Sequence, residues 1–234
     1  MMTPGGIVIH KKIEFLFFVL ILIALIAISD NLAQYVSSSK IEQNKIQVVI
    51  DPGHGDSDPG KIGINGALEK EINLKIAREI KKLLEEQEIE VLMTREDDKS
   101  LAKESDTNKK VQDMKARVQL MNESKADLII SIHQNSYTDE SVHGAQVFYY
   151  THSENGKTYA EIMQKALLEV DPENTRQAKA DDTYYILKRT SSPTIIVECG
   201  FLSNPEEAEQ LNTEEYQKKL AKAITQGIMA CLSK

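Results

Sequence analysis

The chain predicts an α/β fold with a largely parallel or mixed sheet, and two observations carry that reading. Strand-like runs alternate with helix-period segments, the order that lays helices on the faces of a sheet. Several of the runs are apolar on both faces, as the central strands of a covered sheet must be.

The first segment stands apart from that fold. Lys11 and Lys12 precede an apolar run over residues 15–28, followed by Ser29-Asp-Asn31. Its 14 residues fit the core of an export signal, about 7 to 15, and fall short of the roughly 17 to 25 of a full span. Residues 1–29 therefore read either as a short uncleaved membrane anchor or as a signal peptide cleaved at a weak site after Ala27-Ile-Ser29. In both readings the lysines stay on the inner face and the rest lies outside the cytoplasm, membrane-anchored or secreted. Residues 30–44 turn polar, with Val36-Ser-Ser-Ser-Lys40 as a flexible tether, and the domain proper spans 45–234.

Within the domain, residues 46–50, 90–94, 128–132, 146–150 and 194–198 read as strands. Helix periodicity marks 71–86, 111–122, 156–170 and 213–232. The first helix carries an apolar stripe of Ile72, Ile76, Ile80 and Leu83; the second carries Val111, Met114, Val118 and Met121, with Arg117 expected as a surface ion-pair partner and Asn122 as a helix C-terminal residue. The polar stretches 96–110 and 171–182 read as rim loops, and no internal repeat is present.

Composition narrows the function classes. An apolar fraction of 41% supports a real core, while a net charge of −8 without a basic stripe argues against nucleic acid as a partner. With only Cys199 and Cys231, neither a disulfide framework nor a cysteine-rich metal knuckle can be built.

Four polar residues stand at the ends of these elements. His54 follows the first strand in Asp51-Pro-Gly-His54-Gly, whose glycines permit a tight turn at a strand's carboxyl end, where α/β sheets keep their sites. Glu69 lies three residues before Ile72, on the inward face of its helix, where a carboxylate is expensive to bury without a cationic partner; Glu71 points elsewhere. His133 ends the run Leu128-Ile-Ile-Ser-Ile, and Glu198 ends Thr194-Ile-Ile-Val. Each has a plainer reading alone: an exposed turn histidine, a first-turn acid favoured by the helix dipole, a backbone-satisfied core histidine, a structural ion pair. Together, two imidazoles, a carboxylate and a second carboxylate are the composition of a catalytic zinc site with an open position for water and a base beside it. Cys199 adjoins Glu198 and suggests a thiol nucleophile, but strand neighbours point to opposite faces, which sets it aside. His143 and His152 read as exposed loop residues, and His10 precedes the apolar run.

In order along the chain, Val48-Val-Ile-Asp-Pro-Gly-His54-Gly-Asp56, Gly66-Ala-Leu-Glu69-Lys-Glu-Ile-Asn-Leu74, Thr94-Arg95, Ala126-Asp-Leu-Ile-Ile-Ser-Ile-His133-Gln-Asn135 and Val197-Glu198-Cys-Gly-Phe-Leu-Ser-Asn-Pro205 resemble the zinc-dependent N-acetylmuramoyl-L-alanine amidases of the type 3 family. The resemblance runs from residue 46 to about 228. It implies that His54, Glu69 and His133 bind a single Zn2+ and that Glu198 is the catalytic acid/base. It implies a single mixed sheet flanked by helices on both faces, in the manner of zinc carboxypeptidases and phosphorylases. Gln134 departs from the pattern, standing where many members carry a small residue. A bare catalytic domain behind a short anchor is similar to the germination-specific amidases of spore-forming bacteria, which implies spore-cortex peptidoglycan as substrate and the forespore or spore envelope as location.

The expected reaction is hydrolysis of the amide between the lactyl group of N-acetylmuramic acid and L-alanine, with peptidoglycan as partner and an activating protein as a further candidate. Asn135 and Asn204 lie next to the site in sequence, where each can bind substrate or cap a turn. The competing readings are a zinc peptidase cutting within the stem peptide and a membrane-tethered peptidoglycan-binding protein without catalysis.

Overall fold

Six strands form one sheet in the computed structural model, which describes residues 47–234 and, ahead of them, only Phe17 and Ile21. Apart from those two residues, the segment 1–29 and the tether 30–44 lie outside the described residues. No helix among the described residues is long and apolar enough to cross a membrane. The elements are β1 (Gln47–Pro52), α1 (Glu69–Glu85), β2 (Glu90–Met93), α2 (Lys109–Ser124), β3 (Leu128–Asn135), β4 (Gln146–Tyr150), α3 (Glu154–Leu167), β5 (Lys179–Asp181), α4 (Tyr185–Arg189), β6 (Thr194–Phe201), α5 (Pro205–Leu211) and α6 (Glu214–Leu232). The sheet order is β2-β1-β3-β6-β4-β5. All neighbours pair in parallel except β4 with β6, so the sheet is mixed and largely parallel, as the alternation of strands and helices predicts.

Strand alternation divides the core into two layers. Val48, Ile50, Ile130, Ile132, Ile195 and Val197 pack with α1, α3 and α6, through residues such as Ile72, Met163 and Ile224. Val49, Ile129, Phe148 and Ile196 pack with α2 and α4, through Val118, Met121, Ile186 and Leu187. Strands sandwiched in this way must be apolar on both sides, and each fully buried aliphatic side chain contributes about 1.5–3 kcal/mol.

Several boundaries move. The stripe of α1 runs Ile72, Ile76, Ile80 and then Leu84, not Leu83, because repeated steps of four stay on one face. Val111 is exposed at the start of α2 and is not part of that helix's core. β3 and β6 run past their apolar stretches to Asn135 and Phe201, so His133 and Glu198 lie inside strands and not at their ends. The polar stretch 171–182 contains β5, a three-residue edge strand with no apolar pattern to announce it, and the short helices α4 and α5 likewise go unpredicted. The arrangement leaves the carboxyl ends of three adjacent parallel strands, β1, β3 and β6, side by side.

Candidate metal centre

Beyond Pro52 the chain leaves β1 through Gly53, which lies so close to the His133 ring that a Cβ would fall 2.2 Å from Cε1. Only glycine fits. His54 then adopts a left-handed φ of 63°, uncommon for a residue with a side chain and characteristic of sites held under strain. A buried polar hub holds it there. Arg117 donates to the carbonyls of His54 (2.6 Å) and Pro52 (2.8 Å) and to the carboxylates of Asp51 (2.9 Å) and Asp113 (2.7 Å). Asp51 also accepts from the hydroxyls of Thr94 and Ser131, each at 2.6 Å. Arg95 donates to the carbonyls of Pro52 and Gly53 at 3.0 Å.

Arg117 is therefore not the surface ion-pair partner expected of it: it is 1% exposed. A signal was available, since Arg117 falls three residues after Met114 and four before Met121, on the inward stripe. Asp51, a charge inside an apolar strand, was its partner's signal.

Glu69 opens α1, where the helix N-terminus favours a negative charge, and is 1% exposed. Its Oε2 accepts from the Lys61 amide (2.7 Å) and lies 3.2 Å from His54 Nε2. Its Oε1 accepts from the Gln134 amide (3.1 Å) and Asn73 Nδ2 (3.4 Å) and lies 3.0 Å from His133 Nδ1. Gly60 backs this cluster: at φ +70° it approaches so closely that a Cβ would come within 2.5 Å of the Glu69 carboxylate. Burial disfavours the ionised carboxyl, but hydrogen bonds and charge from His133 and His54 outweigh it and hold Glu69 far below the usual carboxylate range. For His133 burial again opposes charge, yet Glu69, with Glu198 and Asp51, pushes its pKa up to about 9.

Glu198 is the cross-strand partner of His133 and so shares its face of the sheet. Only 6% exposed, it has one oxygen 3.4 Å from the Tyr184 hydroxyl and the other, Oε2, without any hydrogen-bond partner. Burial pushes its pKa up to about 7; the charge of Glu69 adds to this, while His133 works against it. Tyr184 carried no recognisable sequence signal.

The structure thus brings His54, Glu69 and His133 together, with one ligand atom from each within 4.8 Å of the others, and sets Glu198 beside them. The two rings meet edge-on, 5.0 Å between centroids. Two imidazoles and a carboxylate in this space are a donor set that zinc accepts with a fourth position left over.

Of the weaker candidates, Asn135 closes β3, its side-chain oxygen accepting from the Ser136 amide at 2.8 Å. Asn204 is the N-cap of α5, accepting from the Glu207 amide (3.0 Å) and donating to the Glu140 carbonyl (2.9 Å), so both ends of its side chain are engaged in the turn. Cys199 is 1% exposed and belongs to the apolar layer opposite Glu198, where burial pushes its thiol up, so it is no nucleophile. His143 and His152 are exposed.

Residues 48–230 match the family described as N-acetylmuramoyl-L-alanine amidase. A germination-specific N-acetylmuramoyl-L-alanine amidase of Bacillus subtilis is 38% identical over 185 residues, 78% of each chain. A structure of the CwlD amidase from Clostridioides difficile, in complex with the GerS lipoprotein, superposes with a TM-score of 0.78 at 38% identity, over 80% of this chain and 98% of that one. The amidase AmiC2 of Nostoc punctiforme gives a TM-score of 0.71 at 31% identity, over 81% and 98%. On its sequence, its sheet and the cluster at the sheet's carboxyl edge, the chain belongs to the N-acetylmuramoyl-L-alanine amidase family.

Proposed function

We propose that this amidase is zinc-dependent, with His54, Glu69 and His133 as ligands and Glu198 as acid/base, and that it acts outside the cytoplasm on spore-cortex peptidoglycan. The family's reaction is hydrolysis of the amide joining the lactyl group of N-acetylmuramic acid to L-alanine. The observation that carries the assignment of roles is the unpartnered Oε2 of Glu198 beside a carboxylate, Glu69, whose oxygens are both engaged.

A zinc ion bound by the three residues would supply a water of lowered pKa and a Lewis acid for the lactyl carbonyl. Glu198 accepts the proton of the attacking water and returns it to the departing alanine amine, work suited to a carboxyl group poised near neutrality. The Tyr184 hydroxyl stands 3.4 Å from one Glu198 oxygen and leaves the other, Oε2, unpartnered for that proton.

Similarity to a germination-specific amidase supports the cortex as substrate, and similarity to an amidase crystallised with a lipoprotein supports a lipoprotein partner. Tethering through residues 1–29, cleaved or not, belongs to the same proposal. The test is a parallel digest of cortex and vegetative sacculi, with and without a strong chelator, read by mass analysis of muropeptides. The proposal expects muramic acid freed of its peptide, chiefly from cortex, with loss under chelator and recovery on adding zinc. Products cut within the stem peptide would make it a peptidase, absence of any product from wall that it binds would make it a binding protein, and chelator resistance would overturn zinc.

A further inference from the structure

Asp58 lies in a tight loop closed by reciprocal hydrogen bonds between the Gly55 and Asp58 backbones, both 3.0 Å. The loop turns its carboxylate back onto His54, with Asp58 Oδ2 2.8 Å from Nδ1. The far nitrogen of the same ring, Nε2, faces Glu69. His133 is disposed the other way: its Nδ1 faces Glu69, 3.0 Å from Oε1.

An ionised carboxylate only accepts hydrogen bonds, so the hydrogen between Asp58 and His54 must be the ring's own. Lys110 Nζ stands 3.2 Å from the same Asp58 oxygen. Resting on the zinc reading above, we infer that Asp58 is a positioning residue that fixes the tautomer of His54, so that His54 offers Nε2 to the metal while His133 offers Nδ1. Such a carboxylate also raises the basicity of the ligating nitrogen and locks the ring's orientation.

The experiment uses the full chain and zinc alone. Zinc affinity is measured by competition with a chromophoric chelator for the native chain, Asp58→Ala and Asp58→Asn, with thermal unfolding as a check on folding. Nitrogen NMR of the zinc-loaded native chain reports which nitrogen of each histidine carries the metal. The expected result is a loss of about 10–100-fold in zinc affinity for Asp58→Ala. Asp58→Asn, whose side-chain carbonyl can still accept from Nδ1, recovers much of it, and activity returns when zinc is raised to saturate the weakened site. Native affinity in a folded Asp58→Ala, or His54 metallated at Nδ1, overturns the inference while leaving the zinc reading intact. Should the alanine variant fail to fold, the nitrogen assignment in the native chain and the Asp58→Asn affinity decide the matter. A native chain that takes up no zinc overturns the zinc reading and this inference with it.

Discussion

Glu69 on the first turn of α1 and Glu198 on β6 are almost equally buried, yet their surroundings drive them in opposite directions. Glu69 is met by two backbone amides, an asparagine and two imidazoles, and its acidity is increased. Glu198 has one long contact to Tyr184 and an oxygen with nothing to bond, and its pKa rises to about 7. A carboxylate that is permanently charged and rigidly held suits a cation; one that titrates near neutral pH suits proton transfer. Environment, not residue type, sets the two acids apart.

The contrast breaks most readily at Glu198. Glu198→Gln keeps size and polarity but cannot take a proton, so release of free stem peptides from purified peptidoglycan should fall about 10²–10⁴-fold. As the proposed base Glu198 must be ionised, so kcat/KM should be lost as pH falls through its pKa, and the variant's residual rate should lack that limb. Undiminished release by the variant would remove Glu198 from the mechanism.

The braces behind His54 come next. Arg117→Met leaves Asp51 charged and unpaired in the core, for an expected loss of about 3–5 kcal/mol in urea unfolding. Asp51→Asn combined with it should recover part of that loss, since the uncompensated charge is then gone.

A smaller effect, of opposite sign, belongs to Glu198 in metal-free protein. Its folded pKa of about 7 lies above the ordinary 4.5, so the unfolded chain loses its proton first as pH rises. Stability from the protonated form is complete below about 4.5 and lost as pH climbs through about 7. Glu198→Gln should therefore stabilise the metal-free chain at pH 8 by about 1–3 kcal/mol, and the gain should vanish near pH 4 in calorimetry. The smallest effect is expected for Tyr184→Phe, which removes one weak hydrogen bond: a fall in kcat of less than about tenfold, with KM and zinc content unchanged.

What the sequence made legible follows from how each residue announces itself. His133 and Glu198 interrupt apolar runs, and Glu69 stands at the head of an apolar helix stripe, on its inward face, so a physical cost marks each of them. The two-sided apolar strands made the covered sheet readable for the same reason. Arg117 escaped because a long side chain on a stripe is easily taken for a surface residue, although its charge completes that of Asp51. Tyr184 and Asp58 sit in segments with no periodicity, and only the folded loop turns them toward Glu198 and His54. β5 is a three-residue edge strand of Lys179-Ala-Asp181 whose pairing comes from its neighbour β4 and not from its own composition.

The division between the two acids is tested most directly by elemental analysis of Glu69→Gln and Glu198→Gln, each purified, exposed to zinc and freed of unbound metal. The account predicts about one zinc per chain in Glu198→Gln and essentially none in Glu69→Gln. Zinc retained by Glu69→Gln, or lost from a folded Glu198→Gln, would contradict it.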